Sequence, residues 1–197
     1  MPPSVAVRAG RPDDAPAVAA IHADRISEGF LVTLGQPFLV RLYGRIARSP
    51  GSVLVVAEQD GSVVGFAAGA VDTGRLYREF LRHDALRAAA SAAPALLRSP
   101  RRAWETLRYG TGPGSDGLPD AEILSIAVTA GHEGEGIGGA VLGAAVRELV
   151  ALGAPAIQVV TTVGNGAAIA MYERGGFERG PTTEVHRGVT QQVLVWR

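Results

Sequence analysis

The sequence predicts a single α/β (α+β) domain built on a mixed, mostly antiparallel central sheet flanked by helices. Segments with strand-like alternation and segments with helical spacing follow one another along the 197 residues, which indicates interleaved strands and helices. A hairpin around Asp60-Gly61 and a strand pair joined near Arg187-Gly188 require antiparallel neighbours, so a purely parallel sheet is excluded. The length suits one domain, and we assign 1–197 to it, with 74–119 as a helical insertion and loop.

The first elements are predicted as a strand, two helices and a hairpin. Val5 to Arg8 alternates apolar and polar side chains, and 11–26 starts with acidic residues and continues with apolar residues at helical spacing. A second helix is predicted over Pro37 to Ile46, whose apolar residues fall on one stripe. In 52–71, two apolar runs flank Asp60-Gly61, a pair that suits the positive φ angles of a tight turn.

The second half of the chain begins with a helical insertion and ends with strands. Residues 75–109 are rich in alanine, leucine and arginine and predict two or three helical pieces, which prolines interrupt. A loop rich in glycine, proline, serine and aspartate follows. The remaining prediction is a strand, a helix, a buried strand, a helix and a final strand pair, over Ala121–Val128, Gly136–Leu152, Ala156–Thr162, Gly166–Arg174 and the tail from Phe177.

Composition excludes several classes of function. The 19 acidic residues balance the 19 basic ones, so neither nucleic acid nor an anionic membrane is expected as a partner. The absence of cysteine excludes disulfides, thiolate nucleophiles and cysteine metal sites, and we expect no metal. Every basic residue is an arginine, which excludes a Walker A phosphate loop and a lysine Schiff base. No secretory signal is apparent, and glycines, a proline and polar residues interrupt the charge-free stretch 149–172, so we expect a cytoplasmic protein.

A glycine-rich turn, 132–139, lies between a predicted strand and a predicted helix. There, backbone N–H groups and the open end of the helix can converge on a phosphate. Gly134, Gly136 and Gly139 also fit the dinucleotide pattern G-x-G-x-x-G. Two features argue against a nicotinamide or flavin cofactor. The turn comes late in the chain, and the next strand ends in Thr161-Thr162 without a carboxylate to bind a ribose. A tight turn that binds nothing is a further alternative.

Two segments resemble the signatures of the GNAT (GCN5-related) N-acetyltransferase family. Residues 123–149 resemble its motif A, an apolar strand, a loop of the form R/Q-x-x-G-x-G/A and a helix, with Gly136 and Gly138 in the glycine positions. The hairpin around Asp60-Gly61 resembles the family's second and third strands. The second signature, N-x-x-A-x-x-x-Y-x-x-x-G-F, is matched by Asn165, Ala168, Tyr172, Gly176 and Phe177.

This resemblance implies a sheet of about seven strands, splayed between strands four and five. It also implies acetyl-CoA as co-substrate and transfer of the acetyl group to a primary amine by direct attack in a ternary complex. The pantetheine arm would lie along strand four, and its pyrophosphate on the glycine turn. The cofactor-binding residues implied are Ile126, Ala127, Val128, Glu133, Gly134, Glu135, Gly136, Ile137, Gly138, Gly139, Asn165, Ala168 and Tyr172.

Catalytic roles also follow from the resemblance. Tyr172 matches the family's general acid, which protonates the departing thiolate; the alternative is a packing tyrosine on an amphipathic helix. Glu122 stands where many relatives carry the general base, with Asp120 and His132 as weaker candidates. Asn165 is either a coenzyme contact or a helix cap. The remaining helical histidines, His22 and His83, are predicted to be ordinary helix-surface residues.

One departure from the family pattern concerns charge. Glu133 replaces the family's arginine or glutamine, and Glu135 adds a second carboxylate beside the expected pyrophosphate. Like charges weaken binding, but we expect both side chains to point to solvent and the contacts through backbone N–H groups to persist. A non-catalytic acyl-CoA-binding regulatory module is therefore an alternative to an enzyme.

Acceptor choice is expected to depend on 28–38 and 75–119. We expect the amine of a small molecule, with a protein N-terminus or side-chain amine as the alternative, and a homodimer is possible by resemblance. Phe30, Leu31 and Phe38 either form an apolar wall for the acceptor or pack the first two helices together. An arginine cluster near Pro100 is either a solvated helix face or a site for a phosphate or an acidic acceptor; its members are Arg98, Arg101, Arg102 and Arg108.

Overall fold

The computed structural model describes residues 5–26, 34–83, 117–186 and 189–197. Its strands are β1 (Ala6–Ala9), β2 (Ser52–Gln59), β3 (Ser62–Ala70), β4 (Ala121–Val128), β5 (Ile157–Thr162), β6 (Glu178–His186) and β7 (Val189–Trp196). Its helices are α1 (Ala15–Arg25), α2 (Gln36–Ile46), α3 (73–83), α4 (Ile137–Ala151) and α5 (Gly166–Arg174), with a 3₁₀ turn at Pro12–Asp14. The predicted roles of Phe30, Leu31, the arginine cluster and the helical pieces beyond residue 83 lie outside the described residues.

All seven strands form one sheet in the order β1-β2-β3-β4-β5-β7-β6. Every neighbouring pair is antiparallel except β4 and β5, which confirms the mixed, mostly antiparallel sheet. The β2–β3 hairpin turns at Asp60 and Gly61, with φ angles of 51° and 78°, as their sequence predicted. β4 and β5 pair only between Ala121–Ile123 and Ile157–Val159 and separate beyond that point. The predicted splay is therefore present.

Helices cover both faces of the sheet, and each face has its own core. α1, α2 and α3 pack on one face, around Phe66 and Ala68 of β3. α4 and α5 pack on the other, around Ile123 of β4 and Leu149 of α4. Gly65 permits the close approach of α4, because a Cβ there would lie 2.9 Å from Cγ2 of Ile137.

A β-bulge in β4 decides which side chains share a face. Ala68 of β3 is opposite Ser125, but the next pair is Gly69 with Ile123, so Leu124 is an extra residue. In a regular strand, residues three apart point to opposite faces. Because of the extra residue, Glu122 and Ser125 lie on the same face, the one that α1, α2 and α3 cover.

Among the described helices, none combines the length and the hydropathy needed to cross a lipid bilayer. The predicted insertion at 74–119 begins within α3, whose first residue is 73.

Candidate active site

The glycine-rich turn joins the unpaired end of β4 to α4. Gly131, Gly134 and Gly136 have φ angles of 87°, 82° and 81°, which L-residues with a side chain rarely adopt. Gly136 is the N-cap of α4, and no side chain caps the helix, so its first N–H groups stay open to an anion. Ile137 is buried in the core and fixes the direction in which the helix starts.

The turn, β4 and α5 meet at Gly138. A Cβ at this position would lie 2.9 Å from Sδ of Met171 on α5 and 3.8 Å from Cγ2 of Val128 on β4. The three predicted groups of coenzyme contacts therefore come together at one place in the fold. Beyond Ile123, β4 has no partner on β5, so its backbone groups on that side are free to bond an extended ligand as another strand would.

Both glutamates of the turn have partners. The Glu133 carboxylate accepts a hydrogen bond from the Gly131 N–H at 2.7 Å and forms an ion pair with Arg25, the last residue of α1. Hydrogen bonds from the backbone N–H groups of Glu133 and Gly131 lower the pKa of this carboxyl, and the Arg25 charge lowers it further. The Glu135 carboxylate lies 3.1 Å from Nδ1 of His132.

These partners change the expectation drawn from sequence. The side chains of Glu133 and Glu135 are 52% and 47% exposed, in keeping with the prediction that they reach solvent. Arg25, however, places a positive charge at the turn, where the family's arginine or glutamine is missing. The repulsion between the carboxylates and a pyrophosphate is therefore partly offset.

Replacing Glu133 with glutamine is expected to tighten acetyl-CoA binding about threefold to tenfold. The change removes a carboxylate beside the predicted pyrophosphate site and frees the guanidinium of Arg25, while the exposed ion pair that it breaks is worth at most about 1 kcal/mol. Calorimetry with acetyl-CoA measures the effect, with Glu178→Gln at the exposed start of β6 as control. Weaker binding by the Glu133→Gln variant would show instead that the carboxylate organises the turn.

Asn165 caps α5. Its Oδ1 accepts a hydrogen bond from the Ala168 N–H at 3.2 Å, which satisfies one of the open donors at the start of the helix. The cap places Tyr172 two turns further along α5. A direct contact between Asn165 and the coenzyme stays a prediction.

Asn165→Ala is expected to lower the free energy of unfolding by about 1 kcal/mol, because Ala168 loses its hydrogen-bond acceptor. Asn165→Asp keeps an acceptor and is expected to retain stability within about 0.5 kcal/mol. Urea unfolding of both variants measures this difference. If Asn165→Ala were as stable as the parent protein, the hydrogen bond to Ala168 would not contribute to the fold.

Tyr172 is a buried tyrosine on α5. Its side chain is 4% exposed, and its ring packs against Phe177 with the centroids 5.8 Å apart. Burial raises the pKa of its hydroxyl, which therefore stays protonated near neutral pH. No hydrogen bond joins this hydroxyl to another of the described residues. A protonated hydroxyl without a protein partner suits the general acid predicted for Tyr172. The ring of Tyr172 also packs in the core, as the alternative prediction of a packing tyrosine requires.

Glu122 lies on β4, opposite Ala70, where the strand still pairs with β5. Burial raises the pKa of its carboxyl from 4.5 to about 7, a suitable value for a general base near neutral pH. Tyr77 of α3 lies close by, and the pKa of its hydroxyl is raised by burial and then by the Glu122 carboxylate. The weaker base candidates are placed differently: Asp120 is exposed before β4, and His132 belongs to the glycine turn.

The sequence analysis did not predict a polar cluster that lies on the same face of the sheet as Glu122. Tyr43 of α2 bonds to Nδ1 of His22 on α1, and its hydroxyl lies 2.8 Å from Oγ of Ser125 on β4. His22 is 3% exposed, so its assignment to the helix surface was wrong. The sequence contains a signal for its burial, since His22 follows the apolar Val18 by one helical turn. His83 is exposed, as predicted, with Nδ1 2.9 Å from the Glu79 carbonyl oxygen.

Among the described residues, no cluster of three His, Asp or Glu side chains is arranged to hold a metal ion.

Comparisons with known proteins agree with this geometry. The family model for the acetyltransferase (GNAT) family matches residues 21–177. An N-acetyltransferase from Staphylococcus aureus Mu50 is 18% identical, with a TM-score of 0.63 over 98% of this chain and 97% of that one. The structure of yncA from Salmonella typhimurium with its cofactor acetyl-CoA is 15% identical, with a TM-score of 0.64 over 98% and 93% of the two chains.

A third similar structure is the ribosomal-protein-S18-alanine N-acetyltransferase from Escherichia coli. It is 16% identical, with a TM-score of 0.61 over 98% of this chain and 93% of that one. No curated protein matches the sequence. The matched residues include β2 to β5, the glycine turn and α5, so one family model spans the splay and both signatures. The chain belongs to the acetyltransferase (GNAT) family and is an acyltransferase that uses acetyl-CoA as its co-substrate.

Proposed function

We propose that this protein acetylates a primary amine of a small molecule, by direct attack of the amine on the thioester of acetyl-CoA in a ternary complex. The observation that carries the proposal is the position of Glu122. Its carboxyl is half-buried on β4 next to the splay, and its pKa of about 7 lets it accept a proton near neutral pH. A half-buried base beside Tyr77 favours a slender amine over a bulky acceptor.

The proposed reaction assigns one proton transfer to each of two side chains. The amine lone pair attacks the thioester carbon, and Glu122 takes a proton from the attacking nitrogen. Backbone N–H groups of β4 left without a partner on β5 stabilise the oxyanion of the tetrahedral intermediate. The carbon–sulfur bond then breaks, and Tyr172 donates its proton to the thiolate. The products are the amide and coenzyme A.

Acetylation of a protein N-terminus is the second candidate, because the similar structure from Escherichia coli is named as a ribosomal-protein-S18-alanine N-acetyltransferase. At 16% identity, that likeness extends to the fold alone. The two candidates differ in the size of the acceptor that must reach Glu122.

A two-step experiment tests the proposal. Calorimetry first measures acetyl-CoA binding to the full chain. Mass spectrometry then follows acetylation of methylamine, spermidine, glucosamine and an alanine-initiated peptide in parallel. Acetylation of the small amines supports the proposal, whereas acetylation of the peptide alone would replace it with the second candidate. Acetyl-CoA binding without acetylation of any acceptor would favour the regulatory module.

A further inference from the structure

The polar cluster lies on the same face of β4 as Glu122. Glu122 is opposite Ala70 of β3, and Ser125 is opposite Ala68, so one pair separates them along the sheet. Both facing residues are alanines, which leaves space above this part of the sheet for Tyr43. Ser125 is half-buried, and its position beyond Ile123 puts it in the segment of β4 that β5 has left.

Tyr43 and His22 hold the Ser125 hydroxyl in position from the side of the helices. Tyr43 is 1% exposed, and its ring packs edge-on against Phe66, with centroids 5.2 Å apart. Its hydroxyl is held between Nδ1 of His22 and Oγ of Ser125. His22 is itself buried and stacks against Phe66 at 6.5 Å. A chain of three side chains from three elements, of which His22 and Tyr43 are buried, thus ends at Oγ of the half-buried Ser125.

We propose that Ser125 contacts the acceptor amine and that Tyr43 and His22 position its hydroxyl to accept a hydrogen bond from the amine. This inference rests on the proposed function and adds a residue that selects its acceptor. A primary amine has two N–H groups and one lone pair. With one N–H donated to Glu122 and the other to Ser125, the lone pair is left to point at the thioester carbon. The site therefore selects primary over secondary amines.

Given the protonation states, the direction of the hydrogen bonds depends on the tautomer of His22. Burial lowers the pKa of His22 to about 4, so its imidazole is neutral, and burial raises the pKa of Tyr43, so its hydroxyl keeps its proton. If Nδ1 of His22 accepts from Tyr43, the Tyr43 oxygen accepts from Ser125. The Ser125 oxygen then presents only lone pairs to the acceptor, as the amine requires.

Kinetics with the smallest possible acceptors tests the role of Ser125. Methylamine and dimethylamine differ by the replacement of one N–H with a methyl group, so they report on the nitrogen alone. Thiol release measures the rate directly, because the chain contains no cysteine. The parent protein is expected to prefer methylamine about tenfold in kcat/KM, the factor that one lost hydrogen bond of about 1.4 kcal/mol represents.

Variants of Ser125 are expected to change this preference. Ser125→Ala lowers kcat/KM for methylamine about tenfold and brings the ratio between the two amines close to one. Ser125→Thr keeps the hydroxyl and is expected to retain the preference. Tyr43→Phe leaves Ser125 without its anchor and is expected to reduce the ratio about threefold. Ser62→Ala, at the exposed start of β3, is the matched control and leaves the ratio unchanged.

A measurement independent of turnover tests the hydrogen-bond direction. Nitrogen-15 NMR is recorded on protein labelled at histidine. The signals of His22 are assigned as those that shift in the Tyr43→Phe variant, because Tyr43 contacts Nδ1 of His22. They are expected to show an unprotonated Nδ1 and a protonated Nε2. The opposite tautomer would overturn the assigned hydrogen-bond direction, because the Ser125 proton would then be free and the hydroxyl would no longer present only lone pairs to the acceptor.

The outcomes separate this inference from the proposed function. If the parent protein binds acetyl-CoA but acetylates neither methylamine nor any other amine, the proposed function fails. If the parent protein acetylates methylamine and Ser125→Ala keeps the same ratio between the two amines, only the role of Ser125 is rejected.

Discussion

Tyr172→Phe is expected to lower kcat at least about 100-fold while acetyl-CoA binds within about twofold of the parent protein. General acid catalysis contributes about 10²- to 10⁴-fold, and the variant loses the only proton that Tyr172 can give to the departing thiolate. The phenyl ring keeps its place against Phe177, so the buried packing of α5 persists. Thiol release gives kcat, and calorimetry gives the dissociation constant of acetyl-CoA.

The values of kcat and of the acetyl-CoA dissociation constant together distinguish the two roles of Tyr172, general acid and packing tyrosine. A packing role predicts little change in kcat, since phenylalanine fills nearly the same volume. Thermal unfolding serves as the control for folding, with a midpoint close to that of the parent protein. An unchanged kcat would refute Tyr172 as the general acid and would leave its ring as a part of the core around α4 and α5.

Glu122→Gln is expected to lower kcat/KM about 100-fold at pH 8, because glutamine cannot accept the proton of the amine. In the parent protein, kcat/KM should rise with pH through the pKa of about 7, since only the ionised carboxylate acts as a base. The variant should lose this contribution and keep only the rise that comes from deprotonation of the substrate ammonium group. Asp120→Asn is the matched control, because it removes an exposed carboxylate two residues away and should preserve both the rate and its pH dependence.

The same variant should have an opposite effect on stability. The folded-state pKa of Glu122 is raised from 4.5 to about 7, so the folded protein binds more protons than the unfolded chain in this range. The free energy of unfolding therefore falls as the pH rises from 4.5 towards 7. Glutamine removes the buried charge, and Glu122→Gln should be more stable than the parent protein at pH 8 by up to about 3 kcal/mol. Urea unfolding at pH 8 and at pH 4 measures this gain, which should vanish at pH 4.

A stability gain with a loss of activity would identify a base kept at a cost to the fold. If Glu122→Gln lost activity and stability together at pH 8, a structural role of the carboxylate would explain both losses instead.

Local sequence patterns were sufficient to predict most of the fold. The Asp60-Gly61 turn, the glycine turn and the helical stripes each reside in a few consecutive residues, whose backbone preferences act wherever the segment lies. The splay between β4 and β5 came from the family resemblance rather than from such preferences, and the strand pairing confirms it. The resemblance also led to Tyr172 and Glu122, whose catalytic roles stay predictions.

What the sequence could not reveal depends on contacts between distant residues. Arg25 reaches Glu133 across 108 positions, and Tyr43 reaches Ser125 across 82. Neither partner of either pair is marked by the residues around it, because a salt bridge or a hydroxyl contact imposes no local pattern. No sequence pattern indicates the bulge at Leu124 either, since it is visible only in the register between β3 and β4. These contacts and the bulge could therefore be seen only once the elements were assembled in the structure.

The splay between β4 and β5 also solves a problem that unpaired strands usually create. An exposed strand edge invites pairing with another chain and so promotes aggregation. Here the unpaired edge begins beyond Ile123, inside the sheet, with β5 and β7 continuing on its far side. A strand of another chain cannot lie flat against this edge, whereas a narrow, flexible ligand can reach it. The protein thus keeps the backbone groups of β4 that have no partner on β5 within the sheet, where an extended ligand can bond them and a neighbouring chain cannot pair with them.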